Sequence, residues 1–288
     1  MKKTVYVIIF LLILFLTPSV SMPQTTNEID INKLLNVCYA INENQNFEKM
    51  PLLIDYSIEI LKKAPNSLNA IITISFISTA GSYYKKPMQD KFLELYNKYY
   101  PNTENTETDI VEKLVLAELL NCGYSINGIS ENEAKISSKE GKRILQNFID
   151  NCSNKDYSAL GILFLACDNS NDESIKLYET FMNKFPEHKA MPIVEFRLLL
   201  EKYFYNEVHD YLKCIDELKK LVEKYKNIDS PLNSVQITAA YYDSISKAYL
   251  ELGNIGEAKT YLEIIKKETP DYRYLNMLEQ KIKRVSHK

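Results

Sequence analysis

The chain has few of the residues on which catalytic motifs and β-rich folds depend. Its 288 residues include no tryptophan, three histidines and seven glycines. Alternating strand-like runs are missing, and the Asn127-Gly128 pair has no strand pattern on either side. The glycine motifs of phosphate and dinucleotide sites, the G-x-S-x-G motif and the H-E-x-x-H zinc motif are also missing. These absences argue against a β fold and against the best-known catalytic centres.

The histidines and acidic residues form no recognisable metal or catalytic set. His188 follows a helix-ending proline, His209 opens a predicted helix, and His287 lies in the C-terminal tail. Most carboxylates fall on predicted solvent faces, so no pair stands out for glycoside hydrolysis. We therefore predict that the protein is not an enzyme and that it binds neither a cofactor nor a metal. A hydrolase with its acids in the long Cys122–Lys135 connection is the alternative.

Five cysteines are too few and too scattered for a disulfide framework, and none forms a C-x-x-C pair. Cys38, Cys167 and Cys214 lie in apolar helical patterns and are expected to be buried thiols. Cys122 and Cys152 each lie near a predicted helix end, so a disulfide between these two stays open.

Residues 1–21 have the pattern of a secretory signal peptide. Two lysines precede the apolar run Val5–Leu16, and the small residues Ser19 and Ser21 follow it. This order predicts cleavage before Met22 and an exported protein, whether periplasmic, in the cell envelope or secreted. A membrane contact is expected only if the segment is uncleaved, and 12 apolar residues fall short of the roughly 20 that a spanning helix needs.

The charge balance argues against a polyanionic partner. The formal net charge of −3 becomes −5 when the two lysines of the signal segment are removed. Nucleic-acid binding requires a concentrated basic face. We therefore expect no nucleic-acid partner.

The remainder of the chain has the periodicity of paired helices. Apolar residues after Ile29 recur at three- and four-residue spacing. Prolines that follow predicted helix ends divide the pattern, because proline lacks the N–H group that continues a helix. The predicted hairpins cover residues 30–65, 66–101, 108–152, 155–186, 189–227 and 231–270. This pattern predicts an all-α fold: an α-solenoid of about six antiparallel helix hairpins with a C-terminal capping helix.

Two hairpins have a more specific pattern. The last one contains Tyr242, Ile245, Ser246, Tyr249, Gly253, Ala258, Leu262, Ile265 and Pro270. It resembles the tetratricopeptide repeat, W-x₂-L-G-x₂-Y, then A-x₃-F, then P. Ser246 and Ala258 are small, as a close helix crossing requires, and Gly253 suits a left-handed helix cap. A second match runs from Tyr157 to Pro186, with the Leu160-Gly161 pair and one extra residue between its helices.

The resemblance predicts how the chain is organised. We expect a degenerate helical-repeat region over residues 22–152, and tetratricopeptide repeats with a capping helix over residues 153–288, stacked in a right-handed superhelix. The apolar stripe of the capping helix contains Leu275, Leu278, Ile282 and Val285. A terminal repeat needs such a helix to cover its open face.

The resemblance also implies a function: a non-catalytic scaffold or adaptor that binds protein partners in a groove lined by the first helix of each pair. The residues expected to face this groove are Ser158, Ile162, Leu165, Ala166, Ala240, Asp243, Lys247, Leu250 and Glu251. Asp243 departs from the basic or amide residue with which some family members clamp a terminal carboxylate. The mixed groove suits an amphipathic helix or an apolar segment of a partner.

The 21 tyrosines suggest a second function, that of a carbohydrate-binding accessory protein of the cell envelope. Adjacent aromatic residues could form a platform for a sugar ring. These clusters are Tyr83-Tyr84, Tyr99-Tyr100, Tyr203-Phe204-Tyr205 and Tyr241-Tyr242. Packing between helices, with the hydroxyl group at the surface, is the favoured interpretation.

Overall fold

A computed structural model describes residues 49–83, 85–101, 109–127, 130–168, 171–226, 234–270, 272 and 274–286. The predicted signal peptide and the first helix of the hairpin at 30–65 lie outside these residues. The described residues form α-helices and no strand. The helices are α1 (Met50–Lys63), α2 (Leu68–Tyr83), α3 (Lys85–Tyr99), α4 (Ile110–Asn121), α5 (Glu131–Asn151), α6 (Lys155–Asp168), α7 (Asn171–Lys184), α8 (Met191–Leu199), α9 (Tyr211–Tyr225), α10 (Ser234–Glu251), α11 (Ile255–Glu268) and α12 (Leu275–Ser286).

The all-α prediction is confirmed, and from residue 66 onward each predicted hairpin contains two helices that pack against each other. Within each of the two compact units described next, consecutive helices pack in chain order, which is consistent with an α-solenoid. The described residues divide into two compact units, one ending at Ala190 and one beginning at Met191. The predicted boundary near residue 152 separates a degenerate repeat region from more regular repeats. It rests on the sequence pattern alone and stays a prediction.

The first unit has a centre of three apolar helices, α2, α4 and α6. Each of these helices packs on the other two, so contacts extend beyond neighbours in the chain. Eleven of the 12 residues of α4 are buried. A helix that is apolar on all sides must be enclosed to remove that surface from water. The more polar helices α1, α3, α5 and α7 surround this centre, and each packs on at least one of its helices.

Gly141 sets the distance between α4 and α5. A Cβ atom at this position would lie 2.3 Å from the backbone nitrogen of Asn121 and 2.4 Å from the carbonyl oxygen of Ala117. Real Cβ atoms do not approach backbone atoms so closely, so the crossing requires glycine. The sequence patterns did not single out Gly141, because a glycine inside a helical pattern has no local signature of a long-range contact.

In the second unit, α8 continues into a π-helical turn, Leu200–Phe204. The turn closes with a hydrogen bond from the Tyr205 N–H to the Leu200 carbonyl oxygen at 2.8 Å. Helix α9 then begins after Asp210, whose side chain accepts a hydrogen bond from the Lys213 N–H. The π-helical turn interrupts the regular hairpin formed by α8 and α9.

The last hairpin confirms the local predictions made for it. Gly253 has a φ angle of +74°, as expected for a left-handed cap between α10 and α11. The Ser246 hydroxyl donates to the Ala258 carbonyl oxygen at 2.8 Å, so the two helices approach closely at these small residues. Helix α12 packs on both α10 and α11 and buries Leu278 and Ile282. Its apolar stripe therefore covers the end of the hairpin as a cap would.

Candidate functional site

The four groove positions predicted on α6 are buried. Ser158 is 6% exposed, Ile162 0%, Leu165 5% and Ala166 3%. The Ser158 hydroxyl donates to the Ile149 carbonyl oxygen of α5 at 3.0 Å. These side chains face neighbouring helices because α6 belongs to the centre of the first unit. They line no open surface.

The five positions predicted on α10 divide into a buried and a solvent-reaching group. Ala240, Asp243 and Leu250 are buried, Lys247 is half-buried and Glu251 is exposed. Seven of the nine predicted groove side chains are therefore packed inside the protein. An open groove along these nine positions is not what the structure shows, because helical periodicity does not reveal which neighbours cover a face.

Asp243 is the centre of a buried polar cluster in the second unit. Its Oδ2 atom accepts a hydrogen bond from Lys247 Nζ at 2.5 Å. The Lys247 ammonium lies 5.9 Å from the ring centre of Tyr274. Burial raises the pKa of the Tyr272 hydroxyl, and the charge of Asp243 together with a hydrogen bond to it raises that pKa further. The cluster joins α10 to the segment that precedes α12. Asp243 is fully buried within it, so its carboxylate does not face a substrate.

Three large aliphatic side chains are exposed in the part of the second unit where α9 begins and α10 ends. Val208 is 82% exposed, Leu212 is 64% exposed and Leu252 is 42% exposed. Helix α9 packs on α10. Burial raises the pKa of Tyr211, which precedes Leu212, and the charge of Glu251 at the end of α10 raises it further. We call Val208, Leu212 and Leu252 the apolar end patch.

The Cys122–Lys135 connection was the candidate site for hydrolase acids. Its acidic side chains contact other residues of the same connection. The Glu133 carboxylate accepts hydrogen bonds from Ser125 Oγ at 3.2 Å and Asn127 Nδ2 at 3.4 Å. Glu131 pairs with Lys135 at 2.8 Å. Ser130 is the N-cap of α5, since Ser130 Oγ accepts a hydrogen bond from the Glu133 N–H at 3.2 Å.

Cys122 and Cys152 are not joined by a disulfide in the described structure. The Cys122 sulfur lies 3.7 Å from the Ser78 carbonyl oxygen and 3.8 Å from a carboxylate oxygen of the buried Glu118. Cys214 is buried, as predicted. Burial raises the pKa of the Cys214 thiol to about 12, because the thiolate would lose its hydration.

Several of the clustered tyrosines pack between helices. The Tyr99 hydroxyl donates to Glu112 at 2.5 Å, and the Tyr241 hydroxyl donates to the Pro192 carbonyl oxygen at 2.8 Å. Burial also raises the pKa of the Tyr205 hydroxyl. Tyr100 differs, because it is 37% exposed. The side chains of Tyr83 and Tyr84 lie outside the described part.

Within the described ranges, no three His, Cys, Asp or Glu side chains are grouped as a metal site would require. None of the helices described is both long and apolar enough to cross a membrane. Comparison of the chain with protein-family models, curated proteins and solved structures finds no match. The tetratricopeptide resemblance therefore stays a prediction, and what is established is an all-α protein whose consecutive helices pack in pairs.

Proposed function

We propose that the protein is a non-catalytic, exported scaffold that binds protein partners through surfaces of a tetratricopeptide-like helical array. Export rests on the sequence of residues 1–21. Partner binding rests mainly on the apolar end patch, where large aliphatic side chains contact water. The predicted groove positions contribute little, because most of them are buried.

The apolar end patch favours a protein partner for an energetic reason. Removing apolar surface from water stabilises a complex by about 25 cal/mol per Å². Leu212 is the second residue of α9, Val208 lies in the loop that precedes this helix, and Leu252 follows the last residue of α10. Charged Glu251 and Lys281, whose ion pair measures 3.0 Å, lie beside this surface. An apolar centre with a charged rim is typical of protein–protein interfaces.

Affinity capture from the envelope and medium of the producing cell tests this proposal. The wild type should enrich a defined protein, and the double variant Val208→Ser with Leu212→Ser should lose it. Leu52→Ser is the matched control, because Leu52 is 44% exposed but lies in the other unit. Its capture should equal that of the wild type. Failure of the wild type to enrich any protein above background would contradict the scaffold function.

A carbohydrate-binding accessory protein is the second candidate, and one surface of the first unit favours it. The exposed Tyr100 ring stacks on Tyr96, with ring centres 4.4 Å apart at 19°. Arg143, which interacts electrostatically with Tyr100, holds Glu140 through two hydrogen bonds of 2.8 Å. An aromatic face beside paired charged groups suits a sugar ring and its hydroxyl groups. Glycan-array binding that disappears in Tyr100→Ala would support this function, and an array without any binding would reject it.

A further inference from the structure

A shallow groove of about 510 Å³ lies between the end of α4 and the first half of α5. Cys122, Gly123 and Ala134 contribute to its apolar part. Three lysines of α5 line the same groove, Lys135, Lys139 and Lys142. We call this surface the lysine groove. Glu131 also lines it, so three lysines and one carboxylate leave a local excess of positive charge on a chain whose formal net charge is −3.

The spacing of the lysines defines what the groove can hold. Residues at i, i+4 and i+7 of a helix share one face. With a rise of 1.5 Å per residue, Lys135 and Lys142 are about 10 Å apart along the helix axis. An extended peptide advances about 3.3 Å per residue, so about three residues span this distance. Side chains at alternate positions of such a peptide point the same way and are about 6.6 Å apart, close to the axial distance of about 6 Å between Lys135 and Lys139. Lys142 lies only about 4.5 Å further along the axis, so two alternate carboxylates span the three lysines.

Two ion pairs of the groove lysines are weak enough to be exchanged for contacts with a ligand. Glu131 contacts Lys135 at 2.8 Å, but both side chains are largely exposed. Glu173 approaches Lys142 at 3.8 Å, near the outer limit of an ion pair. Exposed ion pairs of this kind contribute about 1 kcal/mol or less. A ligand that brings several carboxylates at once can therefore replace them.

We propose that the lysine groove binds an extended acidic segment of a protein partner, with carboxylates at alternate positions. This inference rests on the proposed scaffold function and names the chemistry of one partner surface. The apolar part of the groove, formed by Cys122, Gly123 and Ala134, favours the side chains of a peptide over the headgroups of an anionic membrane. Three lysines on a chain of net negative charge are too few for a nucleic-acid face.

Fluorescence anisotropy with the full chain tests the proposal. The probe is a labelled peptide of alternating glutamate and serine, and the comparison peptide has the same composition with its glutamates grouped. We expect the alternating peptide to bind more tightly at low salt, and its affinity to fall in about 300 mM salt because screening weakens surface charge interactions. Reversal of Lys135, Lys139 and Lys142 to glutamate should weaken binding by at least about tenfold.

A variant with the opposite expected sign shows that the effect comes from the groove charge and not from misfolding. Glu131→Gln removes the competing carboxylate of Lys135, so it should strengthen peptide binding several-fold. The matched control reverses Lys259 and Lys267, which line a second shallow pocket of about 470 Å³ on α11. This control should bind the peptide as the wild type does.

Three outcomes would overturn the proposal: no binding of the alternating peptide by the wild type, equal loss in the α11 control, or groove-dependent binding of anionic vesicles or single-stranded DNA in place of the peptide. The proposed function has a separate readout. If affinity capture enriches a partner equally with wild type and with the groove-reversed chain, the scaffold function stands and the lysine groove is rejected as its binding surface.

Discussion

His188 provides the sharpest test of the structure, because its imidazole is buried in the turn that follows α7. It is 5% exposed, its Nδ1 atom accepts a hydrogen bond from the Ala190 N–H at 3.1 Å, and the ring meets Phe181 edge-on at 5.0 Å. The next residue, Lys189, donates its N–H to Asn66 Oδ1 at 3.0 Å. The turn is thus held against a loop 123 positions earlier in the chain.

Burial of the neutral imidazole makes stability depend on pH. Burial lowers the pKa of His188 from 6.5 to about 4. The charge of Asp156 and a hydrogen bond with the Pro65 backbone act in the opposite direction and are weaker. Above pH 6.5 the imidazole is neutral in both states and adds no pH dependence. As the pH falls from 6.5 to about 4, the unfolded chain binds the proton and the folded chain does not. The first unit should lose about 3 kcal/mol of stability over this range, at about 1.4 kcal/mol per pH unit.

Hydrogen-exchange mass spectrometry at pH 7.5, 6.5, 5.5 and 4.5 measures this loss in the first unit separately from the second. The perturbation is His188→Asn, which keeps an acceptor for the Ala190 N–H and removes the titrating group. The variant should be less stable at pH 7.5, by about 1–2 kcal/mol, because side-chain volume is lost. Its stability should then fall much less than that of the wild type as the pH drops.

The control for this experiment is His209→Asn, because His209 is exposed and belongs to the second unit. It should leave the pH dependence of the first unit unchanged. If wild type and His188→Asn lose the same free energy between pH 6.5 and 4.5, the assignment of this loss to His188 is refuted.

Three further predictions concern packing and charge. Gly141→Ala should lower the melting temperature sharply or prevent folding, because the new methyl group overlaps α4, whereas Gly256→Ala, which meets only a side-chain oxygen at 3.7 Å, should not destabilise. Burial raises the pKa of Glu112, but hydrogen bonds from Lys62, Tyr99 and Lys98 lower it to about 2. Glu112→Gln should therefore remove about 1 kcal/mol of stability that the wild type has above pH 4.5 and loses towards pH 2, as measured by urea unfolding. Deleting residues 271–288 should destabilise the second unit by about 3 kcal/mol or more, since two buried aliphatic side chains are lost; an unchanged melting temperature would rule out the cap.

The features that the sequence predicted well depend on neighbours along the chain. Helical periodicity located the hairpins from residue 66 onward, and Gly253 has the capping role expected of it. The π-helical turn at Leu200–Phe204 was not predicted, because it is five residues long and ends its helix, so no further apolar repeat reveals the change of face. The small size of Ser246 and Ala258 predicted a close crossing of α10 and α11, and the contact between these residues confirms it. No family model matches the chain.

The candidate site was predicted poorly, because it depends on contacts between distant parts of the chain. Ser158 and Asp243 were placed on an open groove from the periodicity of their own helices, and both are buried by other parts of the chain. The lysine groove was missed, because it requires the end of α4 beside α5, and only its position next to the long connection hinted at it.

By itself, the sequence determined that this chain is helical, where its helices pair, and where several of them begin and end. These properties follow from the intrinsic geometry of the helix, which repeats every 3.6 residues and leaves unpaired backbone groups at its ends. Only the tertiary structure decided which faces meet water. The packing of α2 on α6 and the approach of α4 at Gly141 join distant parts of the chain, and such contacts leave no periodic trace in the sequence.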